Sequence, residues 1–173
     1  MKIKIIQVGE MQSDILKILI EDLNKRFKNK FVFYKKIPLP VESYNKYRNQ
    51  YDSEIIFKHI ANENNEKIII FTSNDIFDKD LNFVFGLVKN NMALISTARL
   101  DPEFYNENKN FELLLNRTKK ETIHELGHMF GLDHCNDPLC VMSSSDSISY
   151  IDEKKCEFCK NCSLKMSMEG IEI

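Results

Sequence analysis

The 173-residue chain predicts an α/β (α+β) fold. We expect a mixed, mostly parallel twisted sheet with an antiparallel edge strand, flanking helices, one long helix and a small C-terminal subdomain. Three observations carry this expectation. Strand and helix signals alternate through the first 71 residues, the pattern of crossover units around a parallel sheet. Two β-rich runs around an asparagine pair then read as a hairpin. Last, an amphipathic helix near residue 120 gives way to a cysteine-rich tail.

In order, residues 2–8 carry Ile3, Ile5, Ile6 and Val8 and read as a strand. Ser13 is placed to cap a helix running to about Phe27, with Ile15, Leu16, Ile18, Leu19, Ile20 and Leu23 as its apolar face. Residues 31–36 give a second strand, and Pro38 and Pro40 punctuate. A second helix is expected over roughly 43–61, with Tyr44, Tyr47, Tyr51, Ile55 and Phe57, and with His59 as an ordinary surface or half-buried side chain. Asn62 to Asn65 form a loop. Residues 67–71 make a strand buried on both faces. Residues 83–88 and 92–97 are the hairpin, one arm of which is expected to form the sheet edge. A loop follows Arg99. The long helix then runs from near Phe111 to Phe130, burying Phe111, Leu114, Leu115, Ile123, Leu126 and Phe130. Arg117 and Glu121 lie within helical reach of His124; they read as an exposed salt bridge, the alternative being groups that support the ligands or touch substrate.

Composition narrows the function classes. Hydrophobic residues make up 43%, enough for a core, and the net charge of −2 leaves no nucleic-acid footprint. No apolar run reaches the length of a membrane span. The first ten residues alternate charged and apolar side chains too early for a signal peptide. A cytoplasmic location is therefore expected, where cysteines favour thiols or metal over disulfides.

The chemistry is concentrated in residues 124–134, His-Glu-Leu-Gly-His-Met-Phe-Gly-Leu-Asp-His. This is H-E-x-x-H-x-x-G-x-x-H, the long metzincin form of a zinc-peptidase motif. His124 and His128 project from one helical face. Glu125 stands beside them in the position of a general base rather than a ligand. Gly131 ends the helix, because glycine enters the left-handed conformation without a Cβ penalty. The chain then returns His134 as third ligand. Three protein ligands leave a coordination position open, the mark of a catalytic rather than a structural zinc. A surface helix with two solvated histidines explains Gly131 but neither His134 nor Glu125.

A second constellation lies beside it. Cys135 and Cys140 are followed by Cys156, Cys159 and Cys162. Four thiolates close a tetrahedral structural zinc site, so one cysteine is left over. Spacing alone allows Cys156/Cys159 or Cys159/Cys162 as the second pair.

The run His124 to His134, then Cys135, Cys140-Val141-Met142 and a Cys-x-x-Cys, resembles the archaemetzincin family. Residues 81–86 and 96–100 also resemble family segments. The resemblance implies a metzincin-like fold with a catalytic zinc on His124, His128 and His134 and with Glu125 as base. It implies Met142 as the Met-turn residue beneath the histidines. It implies a structural zinc on Cys135, Cys140, Cys159 and Cys162, with Cys156 as the extra thiol. Many metzincins also carry a tyrosine after the Met-turn that assists catalysis. Tyr150 lies in that direction, with no motif to fix its role.

We therefore expect a single catalytic domain, 1–173, with an N-terminal subdomain 1–131 and a C-terminal subdomain 132–173 stapled by zinc. The expected protein is a monomeric zinc metallopeptidase holding two zinc ions. Its partners are peptide or protein substrates, with no nucleic acid and no membrane. The alternative is a non-catalytic zinc-binding module that docks through its four-cysteine site, for which Glu125 and an open three-ligand site have no use.

Overall fold

Residues Ile68–Thr72 (β5) are buried without exception, because strands cover both their edges and helices cover the sheet. In this computed structural model the remaining strands of that sheet are Lys2–Val8 (β1), Lys30–Ile37 (β2), Gly86–Lys89 (β7) and Met92–Ser96 (β8). The order is β2-β1-β5-β8-β7. The first four run parallel, and β7 pairs antiparallel with β8. The structure describes all residues except Ala61, Glu63, Asn64, Asp80 and Ile173, and of Ser13 the backbone alone. Part of the expected loop 62–65 thus lies outside the described residues.

Helix Ser13–Arg26 (α1) begins one residue earlier than a Ser13 cap would allow, with Gln12 in the cap position. Leu16, Leu19 and Leu23 pack with Ile3, Ile5 and Ile69 on one face of the sheet, together with Leu126 of helix Phe111–Met129 (α3) and Phe130 at its C-terminal cap. On the other face, Ile6, Val8, Ile70 and Leu94 meet Ile56 and Phe57 of a short helix, Ser53–His59 (α2). His59 is exposed at the end of α2.

The expected helix over 43–61 is thus mostly something else. Tyr44–Asn45 (β3) and Gln50–Asp52 (β4) form an antiparallel pair, and β4 continues parallel to Ile76–Phe77 (β6). Asn49, at φ +53°, makes the turn. Tyr44 and Tyr51 face each other across the pair with ring centroids 5.1 Å apart. The tyrosine spacing that mimics a helix is the spacing of a small hairpin.

This second sheet supports the loop that leads into β7. Arg48 donates to the carbonyls of Leu81 (2.6 Å) and Asn82 (3.0 Å), and Gln50 donates to Asn82 (2.8 Å). Arg99 pairs with Asp75 and lies over the Phe83 ring at 4.1 Å. Residues 83–85 are thereby held as an irregular segment, and the expected strand begins only at Gly86.

α3 is capped by Asn110, whose side chain accepts from Leu113 N. It ends at Met129, with Gly131 at φ +90° carrying the chain out of the helix. The exposed salt bridge expected of Arg117 and Glu121 is not present. Arg117 is buried and bonds Asp152 through two nitrogens (2.8 and 2.7 Å) and the Leu100 carbonyl (3.1 Å). Lys120 donates to the carbonyls of Ile151 and Asp152. Both cations therefore fasten α3 to helix Ile148–Glu153 (α4). A last helix, Lys160–Met168 (α5), closes the described chain.

Candidate metal and catalytic site

α3 packs against β7 and β8, so its cleft-facing residues lie directly under the sheet edge. A cleft of about 750 Å³ opens there. Its wall is Leu81, Phe83, Val84, Leu87 and Val88, and its floor holds Glu121, His124, Glu125, His128 and His134.

The three histidines converge. Each can offer a ligand atom within 4.8 Å of the others. His124 Nδ1 faces the Val141 carbonyl at 2.8 Å and His128 Nδ1 faces the Leu132 carbonyl at 2.8 Å. A carbonyl only accepts, so each Nδ1 carries the hydrogen and each Nε2 keeps a bare lone pair. The two Nε2 atoms stand 3.1 Å apart. Two lone pairs at that distance repel unless a cation lies against both. This donor set fits a metal ion, and the carbonyl partners orient the rings for it. Burial, followed by the nearby charge of Lys154, holds the His124 imidazole down to about 2, so it stays neutral. Burial also lowers His128.

Glu125 is buried beside them, and its Oε2 has no hydrogen-bond partner. Burial and the adjacent Glu121 carboxyl raise its pKa well above the ordinary carboxylate range. Gly86 explains how both carboxyls fit under the sheet edge. A Cβ at Gly86 would stand 2.8 Å from Glu125 Cγ and 3.0 Å from Glu121 Oε1. Gly86 has no signal in the sequence, and Glu121 belongs to the cleft, as the alternative to an exposed salt bridge requires.

Met142 is fully buried below the histidines' helix. Its sulfur occupies the space a side chain at Gly127 would need, since a Cβ there would lie 2.3 Å from Met142 Sδ. Gly127→Ala is therefore expected to overpack this contact and cost about 1–3 kcal/mol, read as a lower midpoint in denaturant unfolding. A variant as stable as the parent would show that Met142 does not need this glycine.

Cys135, Cys140, Cys159 and Cys162 also converge, each offering a sulfur within 4.8 Å of the rest, and Cys156 is not among them. All five are free thiols. Backbone amides of Cys159 (3.2 Å) and Met142 (3.4 Å) point at Cys140 Sγ, and that of Asp137 (3.5 Å) at Cys135 Sγ. Such donors stabilise thiolate. An amide bond from Cys162 brings the Cys159 thiol down to about 7, whereas burial raises Cys140 and Cys162. Tyr150 is exposed on α4 and does not line the cleft. Lys154 is fully buried, its Nζ 3.3 Å from the Ser143 carbonyl and 3.5 Å from His124 Nδ1. In the sequence it is one half of a Lys-Lys pair with no local signal of burial.

The profile of peptidase family M54 matches residues 2–168. The chain belongs to peptidase family M54. Among its relatives in this family is the archaemetzincin of Methanocaldococcus jannaschii, 41% identical across all of this chain and 97% of that protein. Solved structures agree. A zinc-dependent peptidase from Methanocorpusculum labreanum superposes with a TM-score of 0.84 at 27% identity, covering 95% of this chain and 99% of that one. The archaemetzincin of Archaeoglobus fulgidus, in complex with malonate, gives 0.83 at 32% identity over the same shares. The M54 chain is thus a zinc metallopeptidase with an archaemetzincin fold, and its substrates are peptides or proteins. No helix among the described residues is long and apolar enough to cross a membrane.

Proposed function

We propose that the protein hydrolyses peptide bonds in the cleft under β7, with His124, His128 and His134 as ligands of a catalytic zinc and Glu125 as general base. The observation that carries this reading is the pair of bare Nε2 atoms beside a buried, unpartnered Glu125 oxygen. Zinc held there supplies Lewis-acid polarisation of the scissile carbonyl and acidifies a water.

The chain's own residues do the rest. β7 is a sheet edge, so its free backbone groups pair with an extended peptide as an added strand. This lays the scissile bond across the floor of the cleft. Glu125 accepts a proton from the attacking water at Oε2 and passes it to the leaving amine. Val141 and Leu132 carbonyls keep the histidine rings in place, and Met142 supports the helix from beneath as the Met-turn residue.

Cys135, Cys140, Cys159 and Cys162 hold a second, structural zinc in this reading. Their convergence supports a closed tetrahedral set. It ties the segment carrying Cys159 and Cys162 to the loop after His134. The division into subdomains 1–131 and 132–173 follows, with the cleft between them. The cleft is complete within one chain, which supports a monomer, and five free thiols support a cytoplasmic setting.

A peptide library incubated with the zinc-loaded protein tests the reading. Cleavage within extended segments is expected, with apolar side chains favoured near the scissile bond because the wall of the cleft is Leu81, Phe83, Val84 and Leu87. Cleavage without any preference for apolar residues would remove the wall from the account. No cleavage of any peptide would count against hydrolysis in this cleft.

A further inference from the structure

We propose that Arg48, which stands outside the cleft, is a positioning residue that decides which substrate side chain the cleft accepts, by fixing the wall formed by Leu81, Phe83 and Val84. The proposal rests on reading the cleft as the site of peptide hydrolysis. Arg48 lies in the turn between β3 and β4. Neither it nor Gln50, Asp75 or Arg99 lines the cleft. Its guanidinium bridges two successive carbonyls of the wall, Leu81 (2.6 Å) and Asn82 (3.0 Å). Its Nε donates to Gln50 Oε1 (3.0 Å). Gln50 is buried, and its amide nitrogen donates onward to Asn82 O (2.8 Å) and to Asp75 (3.0 Å). Asp75 accepts two bonds from Arg99 (2.7 and 2.9 Å), and Arg99 lies over the Phe83 ring. The network thus leaves the wall at Leu81 and returns to it at Phe83.

The wall needs such anchors because it belongs to no strand. It is the approach to β7, lying between Phe77 and Gly86, and Leu81 is exposed. The same bonds decide how it meets a peptide. A carbonyl oxygen has two lone pairs. Both of those on Asn82 are taken, by Arg48 and by Gln50. Val84 N is taken by Ile76 O (3.1 Å), and Phe85 O by Ser96 N (2.8 Å). Backbone pairing with an extended substrate is therefore concentrated on β7 itself, and the segment before it meets the substrate through side chains. Those of Leu81, Phe83 and Val84 select a large apolar residue. Backbone contacts accept any residue, whereas side-chain contacts tell one residue from another. A wall freed from Arg48 keeps the pairing along β7 and loses its fit to that one side chain. Arg48 touches no substrate and acts only through the wall.

The test uses the zinc-loaded, full-length protein and two fluorogenic peptides from the cleavage library. They differ only at the position of strongest apolar preference, with leucine in one and alanine in the other. The parent is expected to favour the leucine peptide in kcat/KM by about tenfold or more. Arg48→Met keeps the reach of the side chain without its donors. It is expected to bring that ratio down to about twofold or less, with the loss in KM for the leucine peptide and kcat unchanged. Leu81→Ala, which trims an exposed side chain of the wall, should lower the ratio in the same way. Zinc content should change in neither. Hydrogen exchange gives a reading that needs no activity. Exchange across residues 81–85 should be about tenfold or more faster in Arg48→Met, with β5 and β8 unchanged. Should Arg48→Met fail to fold, Arg48→Lys reads the same quantities, since it keeps the charge and loses the planar fork.

A parent-like ratio in Arg48→Met or in Leu81→Ala would overturn the proposal. So would a loss that falls equally on both peptides, appears in kcat or comes with zinc loss, and so would unchanged exchange across the wall. A parent that cleaves peptides with no apolar preference would end the selectivity role and leave hydrolysis standing. A parent that cleaves no peptide would remove the hydrolytic reading, and the role of Arg48 in it as well.

Discussion

Replacing Glu125 by alanine lowers peptide hydrolysis on the order of 10²–10⁴-fold and leaves both the fold and the zinc content intact. The reasoning is structural. Glu125 Oε2 has no hydrogen-bond partner, so losing that atom frees none. The three histidines keep their carbonyl partners at Val141 and Leu132, so the ligand set is untouched. Removing the buried carboxyl leaves a small cavity, and Glu121 remains to face the buried Lys154. The loss should fall on kcat, since the base acts in the proton transfer and not in binding. Steady-state kinetics with metal analysis on one preparation reads both halves. Parent-like turnover would exclude Glu125 as base, and loss of zinc would make it a ligand.

The second large effect concerns the cysteines. If the four cysteines hold a structural zinc as proposed, Cys159→Ser is expected to release it, because a tetrahedral thiolate set loses one of four anchors. Cys156→Ser is expected to keep it, since Cys156 stands apart from the converging sulfurs. The cost of the first substitution spreads beyond the metal. Val141 N bonds the Glu157 carbonyl, and Cys135 N bonds the Met142 carbonyl. Loosening the tail therefore loosens the turn under the histidines. Melting curves should separate the two variants, by about 2–4 °C for each kcal/mol lost in a chain this size. Zinc loss in Cys156→Ser with retention in Cys162→Ser would reverse the ligand assignment.

Much of the fold was legible because its strands are short, apolar and well punctuated. Residues 67–71 read as buried on both faces, and the central strand is Ile68–Thr72, one residue further on. The hairpin was visible in its asparagine pair, and Asn90 and Asn91 do take positive φ there. The long helix showed its own end in Gly131. Region 43–61 misled because tyrosines at 44, 47 and 51 recur at a helical period, while the turn at Asn49 is a single residue in the left-handed region.

The histidine cluster was legible because metal geometry imposes spacing on sequence; for the cysteines spacing left Cys156 and Cys162 as alternatives, and only the family resemblance implied the set that converges. Glu121 was legible only as an alternative. A glutamate three residues before a histidine looks solvated until β7 is laid over α3, and that packing is tertiary. Arg117 misread for the same reason, since α4, which supplies its partner Asp152, lies more than thirty residues downstream. Gly86 and Gly127 signal nothing locally. Each is glycine because another side chain occupies the place of its Cβ: the Glu121–Glu125 pair at one, Met142 at the other.

The central claim is that hydrolysis runs through a zinc held by His124, His128 and His134 beside a separate four-cysteine zinc. Native mass spectrometry on protein purified without chelator tests it most directly, read alongside peptidase activity for the parent and for His128→Ala. The account predicts two zinc ions per chain in the parent, one in His128→Ala, and hydrolysis in the parent only. Undiminished hydrolysis by His128→Ala, or by parent protein carrying only the cysteine-bound ion, would contradict it.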